Sequence, residues 1–230
     1  MEQLINLLPL KFIRYHYYRI QKFVETIART YDFADKKLLD IGAEEQPFRK
    51  LFPKEAYFTQ DISQNKSNTI NYVGDIHKGI VEIHDESFDY ILCTQVLEHL
   101  YDPKAAFKEF SRILKPGGYL FLTTHMVFDE HMEPYDYFRF TKYGLRSLGD
   151  QTGFSLEHIE PAGGAFTVLA YIVTLLPIKL FIKRNSTLYY LYLIAFFLPI
   201  LALNFICYYL DFLDRRKTLT INYECIYKKT

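Results

Sequence analysis

The chain reads as an α/β protein, a mainly parallel seven-stranded sheet with helices on both faces, preceded by a basic amphipathic helix and carrying an apolar helical hairpin between its last two strands. Three observations predict this. Between about Lys36 and Thr124, short apolar runs ending in Asp or Gly alternate with stretches of helical periodicity, the pattern of strands joined by crossover helices. Strands alternate with helices through short loops, so the strands are expected to run mainly parallel and to be covered on both faces. From Ala165 to Leu210 the chain is almost continuously apolar, which no sheet element explains. With 230 residues, half of them hydrophobic, there is material for one sizeable domain plus insertions and not for two enzymes. The expected division is 1–30 for the leading helix, 31–164 with 214–230 for the sheet domain, and 165–213 for the hairpin.

The elements follow in order. Residues 1–30 place Leu, Ile, Phe and Tyr at helical spacing among Lys11, Arg14, Arg19, Lys22 and Arg29, with a break expected near Pro9. KKLLDIG is a buried strand ending in a turn glycine, and a helix is expected from Pro47 through Leu51. AYFTQDIS and INYVGDI are the second and third strands, ending at Asp61 and near Asp75, and SFDYILCTQVLEHL holds the fourth. DPKAAFKEFSRILKPGG has Asp102 as N-cap, Pro103 at the first helical position and a Pro-Gly-Gly stop. GYLFLTTH is the fifth strand; a helix from Thr141 to about Thr152, the strand FSLEHIEP and the closing strand LTINYECIYKK complete the sheet domain.

The formal net charge is zero, so no long-range field gathers nucleic acid, and none is expected as a partner. Cys93, Cys207 and Cys225 lack metal-ligand spacing and read as reduced, buried thiols; no metal site is expected from them. The run Leu4–Leu10 is short, contains Pro9 and precedes the positive charges, so it does not read as a secretory signal. A cytoplasmic protein is expected.

In an open α/β sheet ligands bind beyond the carboxyl ends of the strands, where strand order reverses. Asp40, Gly42, Asp61, Asp75 and Gln95 all fall at such ends. A carboxylate there accepts two hydrogen bonds from vicinal ribose hydroxyls, and another acceptor takes an adenine amino group; Asp61 and Asp75 are the candidates. Capping of turns is the structural alternative for both acids. Gly42 lets backbone approach the ligand, and the helix start expected behind it favours a carboxylate. The loop GAEEQPF lacks the G-x-G-x-x-G of a dinucleotide site, and Glu44 and Glu45 repel phosphates, so a cationic nucleoside fits better than a nicotinamide dinucleotide.

LLDIGAEEQPFRKLFP, the acids Asp61 and Asp75, SFDYILCTQVLEHLYDP and RILKPGGYLFLTT together resemble the class I, S-adenosylmethionine-dependent methyltransferases, specifically the small type 11 group, over more than a third of the chain. The resemblance implies a Rossmann-like fold and S-adenosylmethionine as cofactor. It places Asp40 and Gly42 at the methionine end, Asp61 on the ribose, Asp75 and Ile76 at the adenine, and Gln95 beside the cofactor. Where the family usually has a second glycine two positions after Gly42, this chain has Glu44. HMEPYDYFRFTKYGL also resembles a segment found in a subset of the family, many of whose members are encoded among glycan- and lipopolysaccharide-assembly enzymes. That association implies a small-molecule, glycan or lipid-linked acceptor.

His125, His131, Glu133, Tyr135, Asp136 and Arg139 form a polar cluster just past the fifth strand, where an acceptor belongs. An alcohol acceptor needs a base, and His131 is the leading candidate, with Glu98 and His99 as alternatives. These three also have structural readings, as loop-holding residues, and Arg139 has one as a partner of Asp136. The expected activity is methyl transfer at oxygen; a catalytically silent, methyltransferase-like scaffold at the membrane is the alternative from another class.

The stretches AFTVLAYIVTLLPIKLFIK and LYYLYLIAFFLPILALNFICYYL each approach the ~20 residues of a spanning helix. Lys183 and Arg184 at the tip oppose full crossing, and Lys179 interrupts the first run, so a shallow, re-entrant or in-plane hairpin is expected on the cytoplasmic face of a membrane. The basic aromatic N-terminal helix suits the same face. Packing of these elements on each other or across a homodimer is the lipid-independent alternative.

Overall fold

The computed structural model describes residues 14–182 and 186–230. The sequence expectations for Met1–Ile13, including the break at Pro9, and for the hairpin tip at Lys183 and Arg184 lie outside the described residues. The chain divides into two compact units, residues 20–160 with 223–230, and residues 1–19 with 161–222.

The first unit holds the sheet. Its strands are β1 (Leu38–Ile41), β2 (Tyr57–Asp61), β3 (Tyr72–Val73), β4 (Phe88–Thr94), β5 (Leu114–His125), β6 (Phe154–Ala162) and β7 (Asn222–Lys229). They lie in the order β3-β2-β1-β4-β5-β7-β6, and the pairs β3/β2, β2/β1, β1/β4 and β4/β5 are parallel. The helices are α1 (Tyr15–Thr30), α2 (Pro103–Ile113) and α3 (Lys142–Asp150). Because neighbours along a strand face opposite ways, each strand feeds two cores. Leu39, Ile41, Ile91, Cys93, Leu120 and Leu122 point to one face, where Phe107, Phe110 and Ile113 of α2 and Leu145 of α3 meet them. Leu38, Tyr90, Leu92 and Phe121 point to the other, against Phe23, Val24 and Ile27 of α1. Phe107 and Phe110 are fully buried, each worth roughly 1.5–3 kcal/mol.

Local chemistry sets the element ends. Asp102 accepts the Ala105 N–H at 2.9 Å and Pro103 opens α2, while Thr141 caps α3 by accepting the Gly144 N–H at 3.2 Å. The Pro-Gly-Gly expected as a helix stop lies instead in the first part of β5, at a register shift that pairs Phe88 with Leu114 but Tyr90 with Tyr119. The helix expected from Pro47 through Leu51 is a single 3-10 turn, Arg49–Leu51. Pro47 and Pro53 bracket that segment, and Glu44 and Gln46 have positive φ, so there is neither length nor helical entry for an α-helix. The third strand is two residues long, and Asp75 stands before a 3-10 turn, Ile76–Lys78, without a side-chain cap bond to it. All three cysteines are free and buried.

The second unit is dominated by α4 (Ala165–Phe181), α5 (Thr187–Ala195) and α6 (Phe197–Leu210), three helices where a two-helix hairpin is expected. The second apolar stretch breaks at Phe196, and α5 and α6 meet at 59°. Asp211, just past α6, accepts the N–H groups of Gly164, Phe166 and Thr167 at 2.8–3.2 Å, and Asp214 accepts that of Ala165 at 2.8 Å. The exit of α6 therefore satisfies the orphan donors that begin α4, so the insertion leaves and returns at one place. Inside, Asn204 of α6 donates to Thr174 Oγ1 (3.2 Å), and the Tyr192 hydroxyl of α5 donates to the Thr174 carbonyl (3.1 Å). No single helix among the described residues is long and apolar enough to cross a membrane, although α5 and α6 together reach that length and composition.

Candidate functional site

Strand order reverses between β1 and β4, with β2 on one side of β1 and β4 on the other, and the loops leaving these strands converge at their carboxyl ends. Gly42, at φ +66°, turns the chain out of β1 and donates to the Gln60 carbonyl at 2.9 Å. A Cβ there would stand 2.3 Å from Val96 Cγ2, so the turn is seated directly on the exit of β4. Beyond it, the Glu44 N–H donates to Asp61 Oδ2 at 2.9 Å, and the Asn65 amide donates to the Glu44 carbonyl at 2.8 Å. The first loop is thus latched onto the end of β2. The side chains of Glu44 and Glu45 are exposed. Although Glu44 is exposed overall, partial desolvation of its carboxyl, then the charges of Asp61 and Glu45, raise its pKa.

Asp40 lies deeper, only 2% exposed, on the α1 face of β1. Its carboxylate takes the hydroxyl hydrogen bond of Tyr57. Burial pushes its pKa up to about 7, against the pull of that bond and with a further push from Asp61. Asp75 is ion-paired with Lys78 (3.1 Å) and lies 2.8 Å from His77 Nδ1. Ile76 is 3% exposed and packs in the α2-side core with Ile80 and Ile83. Gly74 joins this loop to the rest, donating to the Asp61 carbonyl (2.9 Å) and accepting from Gln60 Nε2 (2.7 Å). Gln95 has φ +57°; its backbone and side-chain N–H groups donate to the Thr123 carbonyl and Oγ1, both at 2.9 Å. Its Oε1 is buried without a hydrogen-bond partner.

Next to it stands a second cluster. Glu98 is fully buried, accepts from Thr124 Oγ1 at 2.8 Å, and keeps Oε1 3.5 Å from His125 Nε2. Burial pushes its pKa up to about 7, opposed by a backbone hydrogen bond and by Thr124. The His125 ring stacks on Phe128 at 4.0 Å, and His131 lies edge-on to His99 at 4.7 Å and to His125 at 5.3 Å. Burial lowers the His99 pKa. Asp136 holds His131 in place: it accepts the His131 N–H at 2.9 Å and stands 3.3 Å from Nδ1. Arg139 grips Asp136 through two nitrogens, at 2.6 and 2.7 Å, and donates to the carbonyls of Phe128 and Asp129. That grip holds the Asp136 carboxyl well below the usual range.

The structure gathers Gly42, Asp61 and Gln95 around the switch point, puts Asp75 one hydrogen-bonded link away, and sets Asp40 and Ile76 beneath. His131 lies in the neighbouring cluster with Glu98 and His99. No α-helix N-terminus follows the glycine turn, so the expected dipole contact with a carboxylate is replaced by loop backbone. Tyr57, Thr123 and Thr124, which orient Asp40, Gln95 and Glu98, escaped the sequence reading, because only strand register reveals which side chains share a face. The residues fit a cationic nucleoside cofactor: acids dominate the rim, and the unpartnered Gln95 Oε1 is an acceptor awaiting a donor.

This fold and rim define the class I, S-adenosylmethionine-dependent methyltransferase type. The family model described as "Methyltransferase domain" matches residues 12–159, and the chain belongs to that family. Among curated proteins it is similar to the ubiquinone biosynthesis O-methyltransferase of Pectobacterium atrosepticum, 32% identical over 100 residues that cover 44% of this chain and 36% of the relative. The matched region thus spans little more than a third of that relative. Among solved structures, the [4+2]-cyclase SpnF superposes with TM-score 0.56 at 16% identity, covering 92% of this chain and 80% of that one. Phosphoethanolamine N-methyltransferase 2 of Haemonchus contortus, in complex with S-adenosyl-L-methionine, superposes with TM-score 0.53 at 16% identity, covering 91% of this chain and 52% of its own. At these identities the likeness is one of fold.

Proposed function

We propose that this chain transfers a methyl group from S-adenosylmethionine to a hydroxyl of a small-molecule, glycan or lipid-linked acceptor. The observation that carries the reading is the juxtaposition of an acid-rimmed nucleoside site with a histidine whose lone pair is set by its surroundings. His131 Nδ1 stands 3.0 Å from the Asp129 carbonyl, which can only accept, so the neutral ring carries its proton on Nδ1 and its lone pair on Nε2. The cofactor supplies an electrophilic methyl. As the acceptor oxygen bonds to that carbon, the carbon–sulfur electron pair goes to sulfur, and His131 Nε2 takes the hydroxyl proton. Asp136, clamped by Arg139, then stabilises the imidazolium. Asp61 receives the ribose hydroxyls, Asp75 and Ile76 the adenine, and Asp40 with Gly42 the methionine end, with Gln95 beside the cofactor. The similarity to a ubiquinone biosynthesis O-methyltransferase supports oxygen as the acceptor atom.

Calorimetric titration with S-adenosylmethionine and S-adenosylhomocysteine tests the cofactor site. Binding by the intact chain, weakened about 10–100-fold in Asp61→Ala, is expected from losing charge-assisted hydrogen bonds of ~1.5–3 kcal/mol. Equal affinity in the variant overturns the assignment of Asp61.

Asp40 adds a pH dependence. Its folded pKa of about 7 lies above the ordinary 3.8, so the buried proton contributes stability that is full below 3.8 and lost as pH rises through about 7. A cationic ligand favours the ionised form. Cofactor affinity is therefore expected to rise from pH 6 to pH 8, by up to about tenfold per unit below the pKa, and to rise less in Asp40→Asn. Identical profiles for both proteins would remove Asp40 from the cofactor's electrostatics.

We also propose that α4–α6 seat the protein on a membrane surface. Leu169, Ile172, Leu176, Leu180 and Phe181 of α4 are exposed, as are Leu191 and Ile194 of α5, and Lys179 is the one charge in the three helices. Arg215, Arg216 and Lys217 follow α6 and suit anionic headgroups. The chain is expected to float with vesicles containing anionic lipid, and Leu191→Asp with Ile194→Asp to abolish flotation; a wild-type chain left in the soluble fraction refutes the seat.

A further inference from the structure

We propose that Glu98, His99 and His131 bind one divalent transition-metal ion, zinc by preference, at the acceptor end of the site. One ligand atom from each residue lies within 4.8 Å of the other two. Tetrahedral zinc, with ligands at ~2.0–2.1 Å, brings such atoms to about 3.4 Å apart, a closure within reach of side-chain rotation.

Three observations argue for a built site. Glu98 Oε1 is buried, and its residue fully so, yet the atom has no hydrogen-bond partner, while Thr124 holds Oε2 at 2.8 Å and fixes the carboxylate's direction. A buried, half-satisfied carboxylate calls for a cation or a proton. The two imidazoles are prepared alike: His99 Nδ1 stands 2.6 Å from the Tyr135 carbonyl and His131 Nδ1 3.0 Å from that of Asp129. Each carbonyl compels its ring to carry the proton on Nδ1 and present Nε2 as a lone pair, which is how metal-ligating histidines are held by their surroundings. Finally, two imidazoles and one carboxylate form a donor set that suits zinc and iron, and three protein ligands leave a coordination position open. His125 Nε2 lies 3.5 Å from Glu98 Oε1, beyond hydrogen-bond contact in the geometry that leaves this oxygen without a hydrogen-bond partner.

The acceptor role of the ion rests on the methyl-transfer reading; its binding does not. In that role the open position takes the acceptor hydroxyl, the ion's charge lowers the pKa of that oxygen, and the proton passes to solvent. His131 is then a ligand, and the ion replaces its imidazole as the acidifying group.

The test is direct binding to the full chain, stripped with chelator and titrated with zinc without cofactor, with cobalt substitution read by absorption. One equivalent per chain is expected, with visible bands from a four- or five-coordinate cobalt site. Affinity is expected to fall at least 100-fold in Glu98→Gln, which keeps the Thr124 bond, and in His131→Gln on the surface segment, with unchanged circular dichroism as the fold control. Failure of the wild-type chain to bind zinc, or undiminished binding by folded His131→Gln, overturns the proposal. A chain that binds S-adenosylmethionine but no zinc leaves methyl transfer intact with His131 as proton acceptor, whereas one that binds zinc but not the cofactor retains the ion site and loses the methyltransferase reading.

Discussion

Replacing His131 with alanine is expected to lower kcat for methyl transfer by about 10²–10⁴-fold, the range for losing a positioned proton acceptor, with little change in cofactor affinity. The separation follows from the site's layout. The residues assigned to the cofactor leave the ends of β1, β2, β3 and β4, while His131 belongs to the segment after β5 and meets the rings of His99, His125 and Phe128 edge-on. Its side chain is 27% exposed, so alanine leaves a cleft open to water and not a sealed cavity, and thermal unfolding should move little. Turnover is read from S-adenosylhomocysteine release with an acceptor found in glycan or lipid extracts, and cofactor binding by calorimetry. A kcat within about threefold of wild type removes His131 from the proton's path. Arg139→Lys provides an intermediate case: the charge on Asp136 is still balanced, but the two-nitrogen grip is lost, so His131 is held less firmly and kcat should fall without a comparable rise in KM.

The sheet was legible because each strand carries its own pattern. Leu38-Leu39-Asp40-Ile41 and Tyr90-Ile91-Leu92-Cys93 are continuously apolar but for one acid, the mark of a strand covered on both faces, and Asp102-Pro103 announces α2 without help from tertiary contacts. The failures have physical causes. The segment from Pro47 to Leu51 has helix-compatible residues, but its conformation is decided by latches from elsewhere: Gln46 donates to the Thr69 carbonyl, Asn65 to that of Glu44, and the Glu44 N–H to Asp61. The break at Phe196 within the second apolar stretch has its local cause in Pro199, which in a continuous helix would leave the Ala195 carbonyl without a donor and clash with it, so the proline falls instead in the first turn of α6, where it is tolerated. In the site, Asp61, Gln95 and His131 could be nominated from strand ends and residue chemistry alone. Tyr57 could not, because its bond to Asp40 depends on β1 and β2 pairing Leu38 with Tyr57, which puts Asp40 and Tyr57 on one face. Glu98 stands in the sequence only as an alternative base to His131 with an equal structural reading, and its complete burial beside Thr124 and His125 is what reveals a carboxylate that needs a counter-charge.

Gly42→Ala is expected to cost about 2–5 kcal/mol of stability, from two separable contributions. At φ +66° an alanine pays roughly 1–3 kcal/mol for a left-handed backbone. Its Cβ would also meet Val96 Cγ2 at 2.3 Å, a distance that forces a shift and adds about 1–3 kcal/mol of overpacking. A double-mutant cycle separates them. Val96→Ala removes both Cγ atoms from the approach, so the pair Gly42→Ala with Val96→Ala should recover the overpacking part, about 1–3 kcal/mol of coupling, while the backbone part persists. Urea unfolding gives the four free energies, and a coupling near zero would mean that the loop moves away from β4 at no cost. The consequence for function follows from the same contact. Gly42 seats the β1 exit on the β4 exit, and Val96 is the neighbour of Gln95, so a side chain at position 42 displaces two proposed cofactor-binding loops at once. Even in chains that remain folded, Gly42→Ala should bind S-adenosylmethionine more weakly than wild type, and the Val96→Ala partner should restore part of that affinity along with the stability.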